Sequence, residues 1–172
     1  MAGESVRVGE NRWRERFGRY FENFEVGETY EHRPGRTISE ADNTWFTLLT
    51  MNTHPVHFDA EYAKHTEFGR PLVVSTLTLS LLVGMSVSET SQKAIANLGW
   101  DGIKLPKPVF VGDTLYAEST VLRKRESKSR LDQGIVCIRA LGRNQRSEVV
   151  CEFERTMLVM RRGNALEQLA GY

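Results

Sequence analysis

Residues 75–91 read STLTLSLLVGMSVSETS, and the period assigned to this stretch decides the fold. Wound at 3.6 residues per turn it is apolar on most sides, with the small residues Ser75, Ser80, Gly84 and Ser86 spread along it. Its β-branched content allows a strand, but its length exceeds that of the usual strand. A helix apolar all round is normally buried, and small side chains permit close backbone approach. The spacing therefore predicts one buried helix, entered through GRPLVV at residues 69–74. Beyond it the period changes. Ala94 to Leu98, Lys107 to Val111, Leu115 to Lys124, Gly134 to Leu141 and Val149 to Met160 are strand-length runs rich in Val, Ile, Thr and Phe. Gly112-Asp113, Asp132-Gln133-Gly134 and Gly142 to Ser147 read as turns between antiparallel neighbours. An antiparallel sheet wrapped around one central hydrophobic helix satisfies this order, an α+β fold.

Upstream, residues 1–22 are polar and basic with scattered aromatics, and read as an extended arm or a short helix over the body. Gly27 marks a turn. Thr29 to Glu31 and Arg36 to Ile38 look like short strand pieces around a Pro34-Gly35 break. Ser39 is a good N-cap, and Glu40 and Asp42 set negative charge beside the positive helix end, Asp42 in the capping-box position. Ala41, Trp45, Leu48 and Leu49 then recur at a helical period to about Thr50. A loop over 51–58 follows, and Asp59 caps a second short helix from Ala60 to His65. The expected organisation is an N-terminal arm (1–20), one folded domain (21–162) and a C-terminal tail (163–172).

At 172 residues and 19.6 kDa the chain suits one domain. Lys and Arg number 23 against 22 Asp and Glu, a net charge of +1, which gives no bulk attraction to nucleic acid or an anionic membrane. A local basic cluster, Arg123, Lys124, Arg125, Lys128 and Arg130, reads either as a solvated hairpin or as a rim for a phosphate-bearing ligand. Cys137 and Cys151 fall in strand-like runs without metal spacing, so buried reduced thiols and a cytoplasmic setting are expected. The charged N-terminus lacks the apolar region of a secretory signal. No stretch approaches the length of a membrane span.

The chemistry concentrates in NTHPVHFD, residues 52–59. A metal site would need His54, His57 and Asp59, whose spacing is no recognised ligand pattern; none is expected. Histidine titrates near neutrality and moves protons at working pH. Pro55 fixes one dihedral and biases His54 to an extended conformation, aiming His57 in one direction. Asn52 carries a donor and an acceptor for a water or a carbonyl. The alternative is a structural loop in which His57 caps a helix.

Three separated segments resemble one family. Phe46 to His57 (FTLLTMNTHPVH) is similar to the aromatic-x-x-Leu-Ser/Thr-Gly-Asp-x-Asn-Pro-x-His signature of the MaoC-like hydratases, the hydratase-2 branch of the hot-dog fold. Ala60 to Ala63 with Gly69-Arg70-Pro71, and PVFVGDTL at 108–115, resemble its later elements. The resemblance implies a hot-dog fold and addition or removal of water across the double bond of an enoyl-CoA. Coenzyme A would enter as part of the substrate, with no separate cofactor. NTHPVHFD followed by EFGRPLV also resembles members acting on short branched or dicarboxylic thioesters such as mesaconyl- or itaconyl-CoA.

The family's catalytic pair is an aspartate and a histidine. His57 takes the histidine position, but Asn52 stands at the aspartate, Met51 at the preceding glycine and His54 at the asparagine. Asparagine cannot accept a proton, which leaves the transfer to His57 with His54 assisting; Asp42 and Asp59 are alternatives, each more simply a cap. The family's oxyanion donor at the start of the central helix falls on Val74-Ser75, so Ser75 is expected there. A distal carboxylate would take Arg70 or Lys107, and the CoA phosphates Lys124 and Arg125. The resemblance and the exposed sheet edge together imply a homodimer. A thioesterase is one rival, with no acidic residue on the central helix before Glu89. A non-catalytic acyl-CoA-binding protein is another, kept open by Asn52.

Overall fold

The computed structural model describes residues 5–171. In the amino-terminal arm the backbone is extended rather than helical: β1 (Val6–Gly9) and β2 (Arg12–Arg14) pair as an exposed antiparallel hairpin, and residues 1–4 of that arm lie outside the described residues. A 3-10 turn at Phe21–Asn23 then places Phe21 and Phe24 in the core. β3 (Thr29–Thr37) is one strand rather than two pieces. The Pro34-Gly35 interruption is absorbed by a register shift between His32 and Arg36, as a bulge does when one residue cannot donate to the ladder.

α1 (Glu40–Leu49) begins with the capping box expected of Ser39 and Asp42: the Asp42 amide donates to the Ser39 hydroxyl, and the Ser39 amide to the Asp42 carboxylate. α2 (Ala60–Lys64) is capped by Asp59. α3 (Ser75–Ser86) runs on through one π turn, Val87–Ser91. β4 (Ala94–Lys104), β5 (Thr114–Glu126), β6 (Gln133–Arg143) and β7 (Val149–Met160) complete a five-stranded antiparallel sheet in the order β3-β5-β6-β7-β4. The tail is a short helix, α4 (Ala165–Ala170), docked by Glu167 on Lys93 and Tyr20.

The run Lys107 to Val111 is not a strand. Pro106 and Pro108 flank Lys107 and have no N–H to offer a ladder, so the segment is held by a single bridge of Phe110 to Leu72 and by the Val73 amide on Val109 O at 2.9 Å. That contact brings the turn before β5 against the approach to α3.

The sheet curls around α3, which buries Leu77, Thr78, Leu82 and Ser86. Leu82 packs with Ile38, Val74, Leu115, Ala140 and Phe153; a second cluster gathers Phe24, Val121, Ile138 and Met157. Of the small residues of α3 only Ser86 is on the buried face: Ser75, Ser80 and Gly84 face outward, with open space around Gly84. Close approach comes from the sheet instead. A Cβ on Gly142 would lie 2.3 Å from Leu82 Cδ2. α3 is thus buried on its sheet-facing side, with Leu79, Leu81, Val83 and Met85 partly buried beside it and Ser75, Ser80 and Gly84 exposed. Among the described residues no helix is long and apolar enough to cross a membrane. Both cysteines are buried and unpaired, and burial pushes the Cys151 thiol up to about 11.

Candidate active site

An apolar helical stripe ordinarily faces the core, but α1 is turned the other way. Trp45 is 66% and Leu49 78% exposed, whereas Asn43 and Thr47 are buried. Those two polar residues, four apart, face the loop that follows α1. The helix ends in a Schellman motif. The Met51 amide donates to Leu48 O at 3.1 Å and the Asn52 amide to Thr47 O at 3.0 Å, with Met51 left-handed at φ 56. A left-handed L-residue costs about 1–2 kcal/mol, a cost that Met51 carries here and that the glycine of the MaoC-like signature it resembles would avoid.

The loop is then tied residue by residue. Asn52 Oδ1 accepts the His54 amide at 3.0 Å, an Asx turn. His54 Nδ1 accepts the Val56 amide at 3.3 Å and so caps the 3-10 turn Pro55–His57. Asp59 accepts the Tyr62 amide at 3.0 Å. Asp42 is equally engaged with Ser39 and with Arg36 at 2.7 Å, and bonds from the Ser39 amide and hydroxyl hold its carboxyl below the usual range. Both aspartates serve as caps, and no helix is capped by His57.

His57 is half-buried and its Nδ1 lies 2.8 Å from Leu72 O. A carbonyl only accepts, so Nδ1 carries the proton and Nε2 presents its lone pair. His54 has the opposite form. Its Nδ1 is an acceptor, so the neutral ring carries its proton on Nε2. The two rings meet edge to face, centroids 5.8 Å apart. The loop thus presents a basic nitrogen and a donating one. Asn52, its oxygen taken by His54, adds a side-chain NH₂ donor.

Asn43, which sequence reasoning passed over, anchors this arrangement. It is 1% exposed. Its Nδ2 donates to His57 O at 2.8 Å and to Leu72 O at 3.2 Å, and its Oδ1 accepts the Val74 amide at 2.9 Å. The available signal was its spacing from Thr47, whose hydroxyl donates back to Asn43 O at 2.6 Å.

α3 starts three residues after Leu72, with Val74 at its N-cap and no side chain capping it. Ser75 is exposed there and lines an apolar groove of about 300 Å³ with Phe68, Leu72, Leu105, Lys107 and Val109. Lys107 is 3.3 Å from Glu148. Arg70 stacks on Phe110 at 3.9 Å, and Phe110 meets Phe68 edge to face. Among the described residues no carboxylate pairs with Arg70. Lys124 and Arg125 are not part of this cluster. They lie toward the far end of β5, about 33 Å along the strand from Thr114 at roughly 3.3 Å per residue. There Lys124 bonds Phe24 O and Glu25. Glu89 sits at the opposite end of the central helix, 2.7 Å from Arg19.

A family model described as mesaconyl-CoA hydratase matches residues 7–170. The chain belongs to that family. Within it, the chain is 34% identical to the mesaconyl-CoA hydratase of Cereibacter sphaeroides over 86% of its own length and 43% of the relative's. A solved structure titled a putative MaoC domain protein dehydratase, from Chloroflexus aurantiacus, superposes with a TM-score of 0.79 at 34% identity, covering 84% of this chain and 41% of that one. This member of the mesaconyl-CoA hydratase family therefore spans less than half the length of those relatives. A Mycobacterium tuberculosis protein described as having a double hotdog fold matches at a TM-score of 0.78 and 22% identity, over 86% of this chain and 46% of that one. The fold here is a single hot-dog unit: one long helix against one antiparallel sheet.

Proposed function

We propose that the chain is a hydro-lyase that adds or removes water across the 2,3 double bond of a short branched or dicarboxylic enoyl-CoA. The observation that carries this is the form of His57: its Nδ1 proton is held on Leu72 O at 2.8 Å, which leaves the Nε2 lone pair of the neutral ring free to act as a base. In the hydration direction, Nε2 takes a proton from water as its oxygen bonds to C3. The π pair moves to C2 and onto the thioester oxygen. Uncapped amides at the start of α3, Ser75 among them, receive the developing charge. Nε2 then returns its proton to C2, so one water is added and the histidine is regenerated. The His54 Nε2–H and the Asn52 NH₂ act as donors that orient the water and neither acts as base.

The groove beside Ser75 suits a short acyl chain. The name of the Cereibacter relative supports a dicarboxylic substrate, and Arg70 is the better cation for its distal carboxylate because Lys107 is already paired with Glu148. We place the reaction in the cytoplasm, where the free thiols Cys137 and Cys151 stay reduced, and in a homodimer. Incubation with mesaconyl-CoA and a panel of enoyl-CoAs tests the reading. A product heavier by one water is expected, with kcat down by about 10²–10⁴-fold in His57→Ala. Unchanged turnover in that variant would overturn it.

A further inference from the structure

We propose that Asn43 is a positioning residue of this site: it fixes the tautomer of His57 and locks the His57 loop to the start of α3. The inference rests on the reading of His57 as the proton carrier. Two segments distant in sequence, the His57 loop and residues 72–74, converge on this one buried amide. Its NH₂ donates to His57 O at 2.8 Å and Leu72 O at 3.2 Å, and its oxygen accepts the Val74 amide at 2.9 Å. Every hydrogen-bonding direction of the carboxamide except one oxygen lone pair is used.

The consequence lies in Leu72. Its carbonyl receives the His57 Nδ1–H at 2.8 Å and the Asn43 NH₂ together. Asn43 thereby aims the acceptor that dictates which ring nitrogen of His57 is protonated. The same side chain holds the Val74 amide, at the N-cap of the helix whose first amides face the thioester oxygen in the mechanism above. Base and oxyanion donors are registered to one another through a single group. One turn on, the buried Thr47 hydroxyl donates to the main-chain Asn43 O at 2.6 Å and so holds the backbone from which the carboxamide projects. Asn43 meets neither the groove nor Nε2, so it acts through His57 and not on substrate.

Asn43→Asp keeps the volume and the bond to Val74 but turns a donor into an acceptor facing two carbonyls. Histidine ¹⁵N chemical shifts read the tautomer without any substrate. Wild-type His57 is expected to be the Nδ1–H form, and the variant a mixture. With the substrate found above, kcat is expected to fall about 100-fold, the scale of a small misplacement of a reacting group, with KM changed far less. Should Asn43→Asp fail to fold, Thr47→Val removes only the supporting bond and is expected to move the tautomer ratio and kcat in the same direction, less far. A folded Asn43→Asp that keeps both the His57 tautomer and kcat overturns the proposal, as does a Thr47→Val that leaves both unmoved where Asn43→Asp does not fold. A wild-type chain inactive on every thioester, with the tautomer shift still seen, would overturn the hydratase reading and leave the positioning role standing.

Discussion

Two buried or half-buried polar side chains define what single residues contribute here, and they do so in opposite ways. Asn52 occupies the position where the MaoC-like signature that the sequence resembles has an aspartate, but its oxygen is spent on the His54 amide at 3.0 Å. What it offers outward is a donor, so the proposed reaction assigns proton transfer to His57, whose protonated nitrogen is set by Leu72 O. His32 lies away from this chemistry and is a liability in acid. Its Nε2 meets the Ser119 hydroxyl at 2.8 Å, while its buried Nδ1 has no partner. Burial pushes its pKa down, Arg33 adds to that, and Glu89 opposes it without prevailing. The unfolded chain protonates the same ring near 6.5. Below about that pH the unfolded state binds the extra proton, so stability is full above it and falls as the pH drops toward the folded value. Asp113 belongs to a lower window. Burial alone would raise its carboxyl, but bonds from Gln145, the Phe110 amide and Arg146 hold it down. Its contribution is present above about pH 4 and is lost as the pH falls through its folded pKa. Urea midpoints at pH 8 and pH 5.5 therefore isolate the histidine. The wild type is expected to lose stability between them and His32→Leu to show a flatter dependence, whatever its stability at pH 8. An equal loss in both would remove His32 as the cause.

At the scale of elements, α1 and α3 show where hydrophobic period informs and where it misleads. The cap residues Ser39, Asp42 and Asp59 announce their helices correctly, because capping is local chemistry. The period of Ala41, Trp45, Leu48 and Leu49 finds α1 but points to its exposed side. The inward face is held by the hydrogen bonds of Asn43 and Thr47, and a polar residue on a helix carries no sign of whether water or protein satisfies it. The same limit hid the buried position of Asn43, while the loop that carries His57, framed by Pro55 and a capped helix, was legible as a loop. Proline misled in both directions. Pro34 suggested a break that a bulge in β3 absorbs, and the apolar run after Pro106 suggested a strand that has only one bridge. α3 was found by its apolar content, but the residue that lets it approach the sheet is Gly142 on β6. A Cβ there would meet Leu82 Cδ2 at 2.3 Å, well inside contact distance, with Leu82 itself fully buried. Gly142→Ala is expected to destabilise by about 1–3 kcal/mol through overpacking. Thermal or urea unfolding checks this, and a stability unchanged or raised would mean that α3 lifts freely from the sheet.

At the scale of the whole molecule, two apolar surfaces among the described residues are left unpaired besides the edge of β3. β4 is an edge strand, hydrogen-bonded to β7 alone, and it carries Ile95, Leu98, Trp100 and Ile103 exposed, with Leu105 just beyond it. The second place is α1, where Trp45, Leu48, Leu49 and Met51 stand in solvent beside the His57 loop. Natural edge strands are usually short, charged or covered; β4 runs for eleven residues, Ala94–Lys104, with apolar side chains among its charges. The relatives whose lengths exceed twice the matched region have further chain available for such a surface. For this chain, the proposed partner is a second copy. Two-fold pairing of β4 with β4 joins two five-stranded sheets and covers both edges by the same self-complementary contact. The expected mass by sedimentation equilibrium is therefore twice 19.6 kDa at micromolar concentration. Leu98→Glu with Trp100→Glu places like charges in the contact and is expected to return the chain to one copy. Hydratase turnover in that double variant then reports whether the exposed α1 face and the His57 loop depend on the second copy. A wild-type protein that sediments as a single chain, or a double variant that remains dimeric, would place the interface away from β4.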